Sequence, residues 1–193
     1  MLARPDLAAE QLVAAWGAQA WPLVRRRPVC SDPAGEIPLG LPLPPSHGKR
    51  RIALTLPAAD ILGHKPPPRL ADCKYAAPPH WQATLDALLS LDGDVQCFGS
   101  LAWQHVTGLP YLAANSDLDV LWPLPPSARL GRFLAALARI EAEAPMRIDG
   151  EIIGSPGAVQ WRELASGEAM LAVKGEAGAA LMRRDVFLGG LCA

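Results

Sequence analysis

Asp117 and Asp119 stand one residue apart in the stretch SDLDVLW. On a strand, side chains alternate between the two faces, so both carboxylates project to one side while Leu118, Val120 and Trp122 project towards a core. Two carboxylates that close repel each other unless a cation compensates them. Hard oxygen ligands with few competing groups suit Mg²⁺, which keeps several waters and accepts phosphate oxygens, with Mn²⁺ also admissible. The competing reading is two acids at a solvated strand end. Gly99 and Ser100 bear on that choice, because they follow an apolar run where a strand hands over to a helix. Backbone N–H groups and the helix dipole hold phosphate at such a junction, although a Gly-Ser pair alone is equally an ordinary turn. Asp149, in RIDGEI, adds a carboxylate on another predicted strand. Three acids on two neighbouring strands, facing a Gly-Ser turn, would form a metal-dependent phosphate site.

The elements that must position these groups follow from periodicity. Val95–Phe98 reads as a strand, Gly99–Ser100 as a turn, and Leu101 to about Val106 as a short helix, followed by an irregular loop containing TGLP. A strand is expected at Asp117–Trp122. Pro126 opens a long helix whose Leu130, Phe133, Leu134, Leu137 and Ile140 recur at helical spacing. MRIDGEII reads as a strand, and AMLAVK as another that ends in Lys174. Between them, Ser155 and Pro156 have the chemistry of an N-cap and a first helical position, which predicts a helix through about Leu164. Strand-length apolar runs alternating with helical patterns predict an α+β, α/β-like layer. Fourteen of the 20 prolines lie in residues 1–80, so a smaller proline-rich N-terminal domain of short elements and stiff connections is expected there. A boundary at Ala77–His80 would leave residues 81–193 as the catalytic domain.

The 193-residue chain has a net charge of −1, unevenly distributed. Residues 1–80 carry 10 Lys and Arg against 6 Asp and Glu, and residues 81–193 carry 8 against 13, so the halves stand at +4 and −5. That split argues against general nucleic-acid binding, which usually shows a strongly basic domain. Apolar runs are broken well before the ~20 residues of a membrane span, and MLARPDLAAEQ lacks the layout of a secretory signal, so no membrane partner and a cytoplasmic protein are expected. Cys30, Cys73, Cys97 and Cys192 form no Cys-x-x-Cys clip and are expected to be buried free thiols. His47, His64, His80 and His105 lack paired ligand spacing, which leaves zinc without local support. No serine-hydrolase elbow or zinc-protease helix is present.

Several fragments together carry a family resemblance: RRRPVC, IPLGLPLPP, GKRRIAL, GSLAWQHVTGLPYL and SDLDVLW. A Gly-Ser turn, then Asp-x-Asp, then a later acid resembles the nucleotidyltransferase superfamily. The whole set is similar to the malonate decarboxylase holo-[acyl-carrier-protein] synthase family, also called phosphoribosyl-dephospho-CoA transferase. The resemblance implies a nucleotidyltransferase-type mixed sheet with flanking helices. It also implies transfer of 2′-(5″-triphosphoribosyl)-3′-dephospho-CoA to a serine of the malonate decarboxylase acyl-carrier subunit, with loss of diphosphate. Asp117 and Asp119 would then be metal ligands, Asp149 a third ligand or the acceptor of the serine proton, and Gly99 and Ser100 the hold on diphosphate. The chain departs from the superfamily pattern in having 16 residues between Ser100 and Asp117, more than usual.

Basic groups could add to that hold. Lys174 could reach a phosphate from its strand end, or be a solvated lysine. Arg26, Arg27, Lys49, Arg50 and Arg51 form two clusters that could grip phosphate or an acidic carrier, or line a solvated face. Trp103 or Tyr111 could stack on the donor's adenine. Two alternatives share the same acids: a nucleotidyltransferase moving a nucleoside monophosphate to a small molecule or protein, and a non-catalytic binding module on the same fold.

Overall fold

The computed structural model describes residues 11–48, 50–176 and 178–189, which fold as two compact units dividing between Pro66 and Pro67. The sequence reading put this boundary at residue 80, at the second of two proline runs. The break falls at the first because Leu70 and Cys73 are buried in one cluster with Leu85 and Leu88 of the second unit. Lys49 and Cys192 lie outside the described residues.

The first unit contains helix α1 (Gln11–Ala18) and strands β1 (Val24–Arg25), β2 (Glu36–Pro42) and β3 (Arg51–Pro57). The strands form an antiparallel sheet in the order β1-β2-β3. Prolines cannot donate to a ladder, and β1 pairs only with Leu39 and Gly40, between Pro38 and Pro42. Leu39, Leu41 and Leu54 of this sheet are buried, as are Val13 and Trp16 of α1.

The second unit runs through α2 (Leu70–Cys73), α3 (Gln82–Leu91), β4 (Gln96–Cys97), α4 (Gly99–Thr107), β5 (Leu118–Pro123) and α5 (Ser127–Glu143). It continues with β6 (Ile148–Gly154), β7 (Gly157–Gln160), α6 (Trp161–Ser166), β8 (Met170–Gly175), β9 (Gly178–Arg183) and α7 (Arg184–Gly189). The strands form a six-stranded sheet in the order β4-β5-β6-β7-β8-β9. β5 and β6 are parallel, joined through α5, and the other neighbours are antiparallel. The sequence pattern predicts an α+β layer and the resemblance a mixed sheet, and the second unit has both. One face of the sheet buries Leu118, Val120, Trp122, Ile148, Ile152 and Val159, all at 0% exposure. The α5 stripe of Leu130, Phe133, Leu134 and Leu137 is buried in the same core, as its periodicity requires.

The segment after β6 departs from expectation. Ser155 and Pro156 do not cap a helix; they are a two-residue turn between Gly154 and Gly157, which face each other in the β6–β7 ladder. Gly157 has φ +143°, and a Cβ there would come within 2.6 Å of the Lys174 carbonyl oxygen. Turn chemistry thus overrides the helix signal, and α6 begins only at Trp161. β9 was not anticipated from the sequence.

Candidate active site

β5 places its residues as the alternation requires: Leu118, Val120 and Trp122 are buried, while Asp119 is half-buried on the opposite face. Asp117 immediately precedes the strand and is also half-buried. Asp119 faces Asp149 directly across the parallel β5–β6 ladder, so two of the three acids sit side by side on one sheet face. α4 starts against them. Gly99 has φ +62°, and a Cβ on it would lie 1.8 Å from Oδ2 of Asp119. The Phe98 N–H donates to the Asp119 carbonyl at 3.1 Å, which ties the start of this helix to the strand. α4 therefore includes Gly99 and Ser100 in its first turn, where the sequence reading had a separate turn ahead of Leu101.

A positive and a neutral donor meet Asp149. Arg147 Nη2 lies 3.7 Å from Oδ1 of Asp149, and Gln160 Nε2 donates to the same oxygen at 2.8 Å. Arg162, on the first turn of α6, stands over the Trp161 ring at 4.8 Å and is clasped by Glu141 of α5. Burial lowers the Arg162 pKa and the negative charge of Asp117 opposes that shift, so this guanidinium and Asp117 share a field. Its Nη1 is buried without a hydrogen-bond partner among the described residues. Gln160, Arg162 and Glu141 carried no sequence signal: Gln160 meets Asp149 only because a hairpin stands where a helix was expected.

The remaining candidates each have their own local partners or surroundings. Lys174 pairs with Glu151, which follows Asp149 by two residues on the same face of β6. In the first unit, Arg26 forms a forked pair with Asp32 and donates through Nε to the Leu39 carbonyl at 3.2 Å. That arginine pair, with a Val29 N–H, pulls the Asp32 carboxyl down to about 2. Arg26 is thus committed to its own unit. Arg27 lines a cavity of about 280 Å³ with Arg25, Arg51, Val24 and Gly40. Arg50 packs its side chain 3.7 Å from the position a Cβ on Gly48 would take. Tyr111 is only 4% exposed, its ring 6.4 Å from that of Trp103, so its face is not open for stacking.

Cys73 and Cys97 are buried free thiols, as expected, whereas Cys30 is exposed. The Cys73 thiol, together with burial, pushes the Cys97 pKa up, and Cys97 stays neutral behind the acids. All four histidines are exposed. No helix among the described residues is long and apolar enough to cross a membrane.

Among the described residues, no three His, Cys, Asp or Glu side chains converge as a ready-made metal cage. The Asp119–Asp149 pair fits a different kind of site, in which one or two carboxylates hold Mg²⁺ and phosphate oxygens and water complete its shell. Past the acids the same face continues over Leu121 and Ile153, which line a cavity of about 320 Å³ with Gln96 and Asp94.

No solved structure matches the chain significantly. Residues 69–185 match the phosphoribosyl-dephospho-CoA transferase MdcG C-terminal domain, and residues 2–67 match the corresponding N-terminal domain. A phosphoribosyl-dephospho-CoA transferase of Bradyrhizobium diazoefficiens is 43% identical over 193 residues, covering 97% of this chain and 85% of the relative. One of Xanthomonas campestris pv. campestris is 37% identical, covering 96% and 89%. One of Pseudomonas syringae pv. tomato is 28% identical, covering 89% and 82%. With both domains matched in order, and the acids carried by the larger, this chain belongs to the phosphoribosyl-dephospho-CoA transferase family.

Proposed function

We propose that this chain transfers 2′-(5″-triphosphoribosyl)-3′-dephospho-CoA to a serine of the malonate decarboxylase acyl-carrier subunit, a cytoplasmic reaction. Diphosphate leaves and a phosphodiester remains. The observation that carries this reading is the pairing of Asp119 with Asp149 across parallel strands, with the glycine start of α4 against Asp119. Family membership supports the donor.

In this reading Asp119 and Asp149 hold a divalent ion, Mg²⁺ or Mn²⁺, with Asp117 at its margin. When bound, the ion supplies charge neutralisation for the attacking and leaving oxygens. The protein's own groups do the positioning. The first N–H groups of α4, from Gly99 and Ser100, receive the departing diphosphate, a task suited to a helix start. The carrier serine attacks the α-phosphorus, the bond to the diphosphate oxygen breaks, and the serine proton passes to solvent, Asp149 being committed to the ion in this reading. The surface over Leu121 and Ile153 offers room for the rest of the donor. In the first unit, the Arg25, Arg27 and Arg51 cavity offers a hold for phosphate or for an acidic carrier. Lys174, paired with Glu151, would need to exchange that partner to hold phosphate.

The test combines the chain, donor, apo carrier and Mg²⁺, and measures the carrier's intact mass together with diphosphate release. The wild type should add the dephospho-CoA derivative, and Asp119→Asn should abolish both signals. A mass gain matching adenylate would instead identify a nucleoside monophosphate transferase. Absence of diphosphate release by the wild type would leave a binding module.

A further inference from the structure

Gln160 ends β7 and caps α6, and its side-chain amide is bonded at both ends. Its oxygen accepts from the Arg162 backbone N–H at 2.9 Å, while its nitrogen donates to Oδ1 of Asp149 at 2.8 Å. A backbone N–H can only donate, so the amide has one consistent orientation: oxygen towards the helix, nitrogen towards the carboxylate.

We infer that Gln160 is a positioning residue for the transfer reaction, pinning Oδ1 of Asp149 so that Oδ2 is presented to the divalent ion and phosphate. This rests on the reading of Asp149 as a metal ligand. The terminal torsion of an aspartate is broad, so an unrestrained carboxylate turns either oxygen towards a cation. Outer partners that hydrogen-bond a ligating carboxylate remove that freedom. Arg147 approaches the same oxygen but only to 3.7 Å, with a side chain 59% exposed, and gives a looser hold. A neutral amide also suits the task better than a close guanidinium. It orients the carboxylate without cancelling the charge that the cation needs.

The ladder accounts for the placement. Gln160 sits opposite Glu151, which makes Asp149, two residues back on the same face, its diagonal neighbour. The other end of the amide is fixed by α6, whose Arg162 is clasped by Glu141 on α5, the crossover between the two acid-bearing strands.

Two variants separate positioning from mere capping. Serine is a good N-cap but too short to reach Asp149, so Gln160→Ser keeps the helix cap and loses the donor; Gln160→Met loses both. Mn²⁺ binding would be followed by electron paramagnetic resonance, with and without inorganic diphosphate, beside unfolding midpoints for all three proteins. We expect both variants to weaken Mn²⁺ binding by roughly 10–100-fold. Only Gln160→Met should lower the unfolding midpoint. Wild-type Mn²⁺ affinity in Gln160→Ser would overturn the inference and leave Gln160 as a cap. Failure of the wild type itself to bind Mn²⁺ would overturn the metal-site reading, and this inference with it.

Discussion

Gly99 and Asp119 are in such close approach that a Cβ on the glycine would fall 1.8 Å from the carboxylate oxygen Oδ2 and 2.5 Å from the carboxylate carbon. With φ +62°, the same position also lies in the left-handed region, where a side chain costs about 1–2 kcal/mol. Gly99→Ala should therefore displace Asp119 as well as strain the turn. We expect kcat/KM to fall by about 10²-fold, the scale of a 1 Å misplacement of a reacting group, with a modest loss of stability. Diphosphate-release kinetics beside a thermal melt would check this; unchanged kinetics would disconnect Gly99 from the acids.

Gly150 lies between the acid-bearing position 149 and the core, and its missing side chain is a matter of packing. A Cβ there would come 2.4 Å from Cζ3 of Trp122 and 3.0 Å from Cδ1 of Trp161. Gly150→Ala should overpack the core and destabilise the second unit by about 1–3 kcal/mol. Urea unfolding followed by tryptophan fluorescence would measure it, and a gain in stability would contradict the packing described.

Glu141 binds Arg162 through both oxygens and also accepts from the Ile148 N–H at 3.2 Å, linking α5, α6 and the start of β6. Glu141→Gln should remove the charge from this junction and destabilise the unit by about 1–3 kcal/mol, the range for hydrogen bonds to charged groups. The partial exposure of the pair, 34% and 23% for the Arg162 and Glu141 side chains, places the effect towards the lower end. Chemical denaturation of the variant gives the value, and wild-type stability would remove this junction from the fold's support.

Tyr111 has its phenol pushed up to about 12 by burial. A raised acid pKa means that the neutral phenol is favoured in the fold. Its contribution is fully present below the unfolded value of about 10 and is lost as pH rises through about 12. Tyr111→Phe should therefore lose less stability than the wild type between about pH 10 and 12. Denaturation midpoints across that window would show whether the two curves converge or remain parallel, and parallel curves would reject the assignment.

Much of the second unit is legible from periodicity alone. The α5 stripe and the β5 alternation of Leu118, Val120 and Trp122 are statements about one face of one element, and local spacing carries them. The acids and the Gly99–Ser100 junction could be named for the same reason. Their mutual placement is another matter, because the facing of Asp119 and Asp149 depends on strand register across a crossover. The hairpin at Ser155–Pro156 shows how a local signal misleads: those residues suit a helix start, but flanking glycines at 154 and 157 let the chain reverse instead. Gln160 was hidden behind that misreading. Arg162 and Glu141 meet 21 residues apart, beyond the reach of any short motif. The proline-rich half concealed a sheet because Pro38 and Pro42 punctuate β2, the strand that pairs with β3 along its whole length.

The parallel alignment of Asp119 with Asp149 also bears on how this chain can change over evolutionary time. Lengthening the connection between α5 and β6 is a small entropic matter, since loop-closure cost grows only slowly with length. Inserting one residue into β6 ahead of Asp149 is not, because a shift of one position exchanges inward and outward side chains along the whole strand. Either the strand from Asp149 onward would invert and turn the carboxylate into the core, or Ile148 would be driven out to solvent. Lineages can therefore accumulate insertions around this strand, while an odd-numbered slip within it would destroy packing and chemistry together.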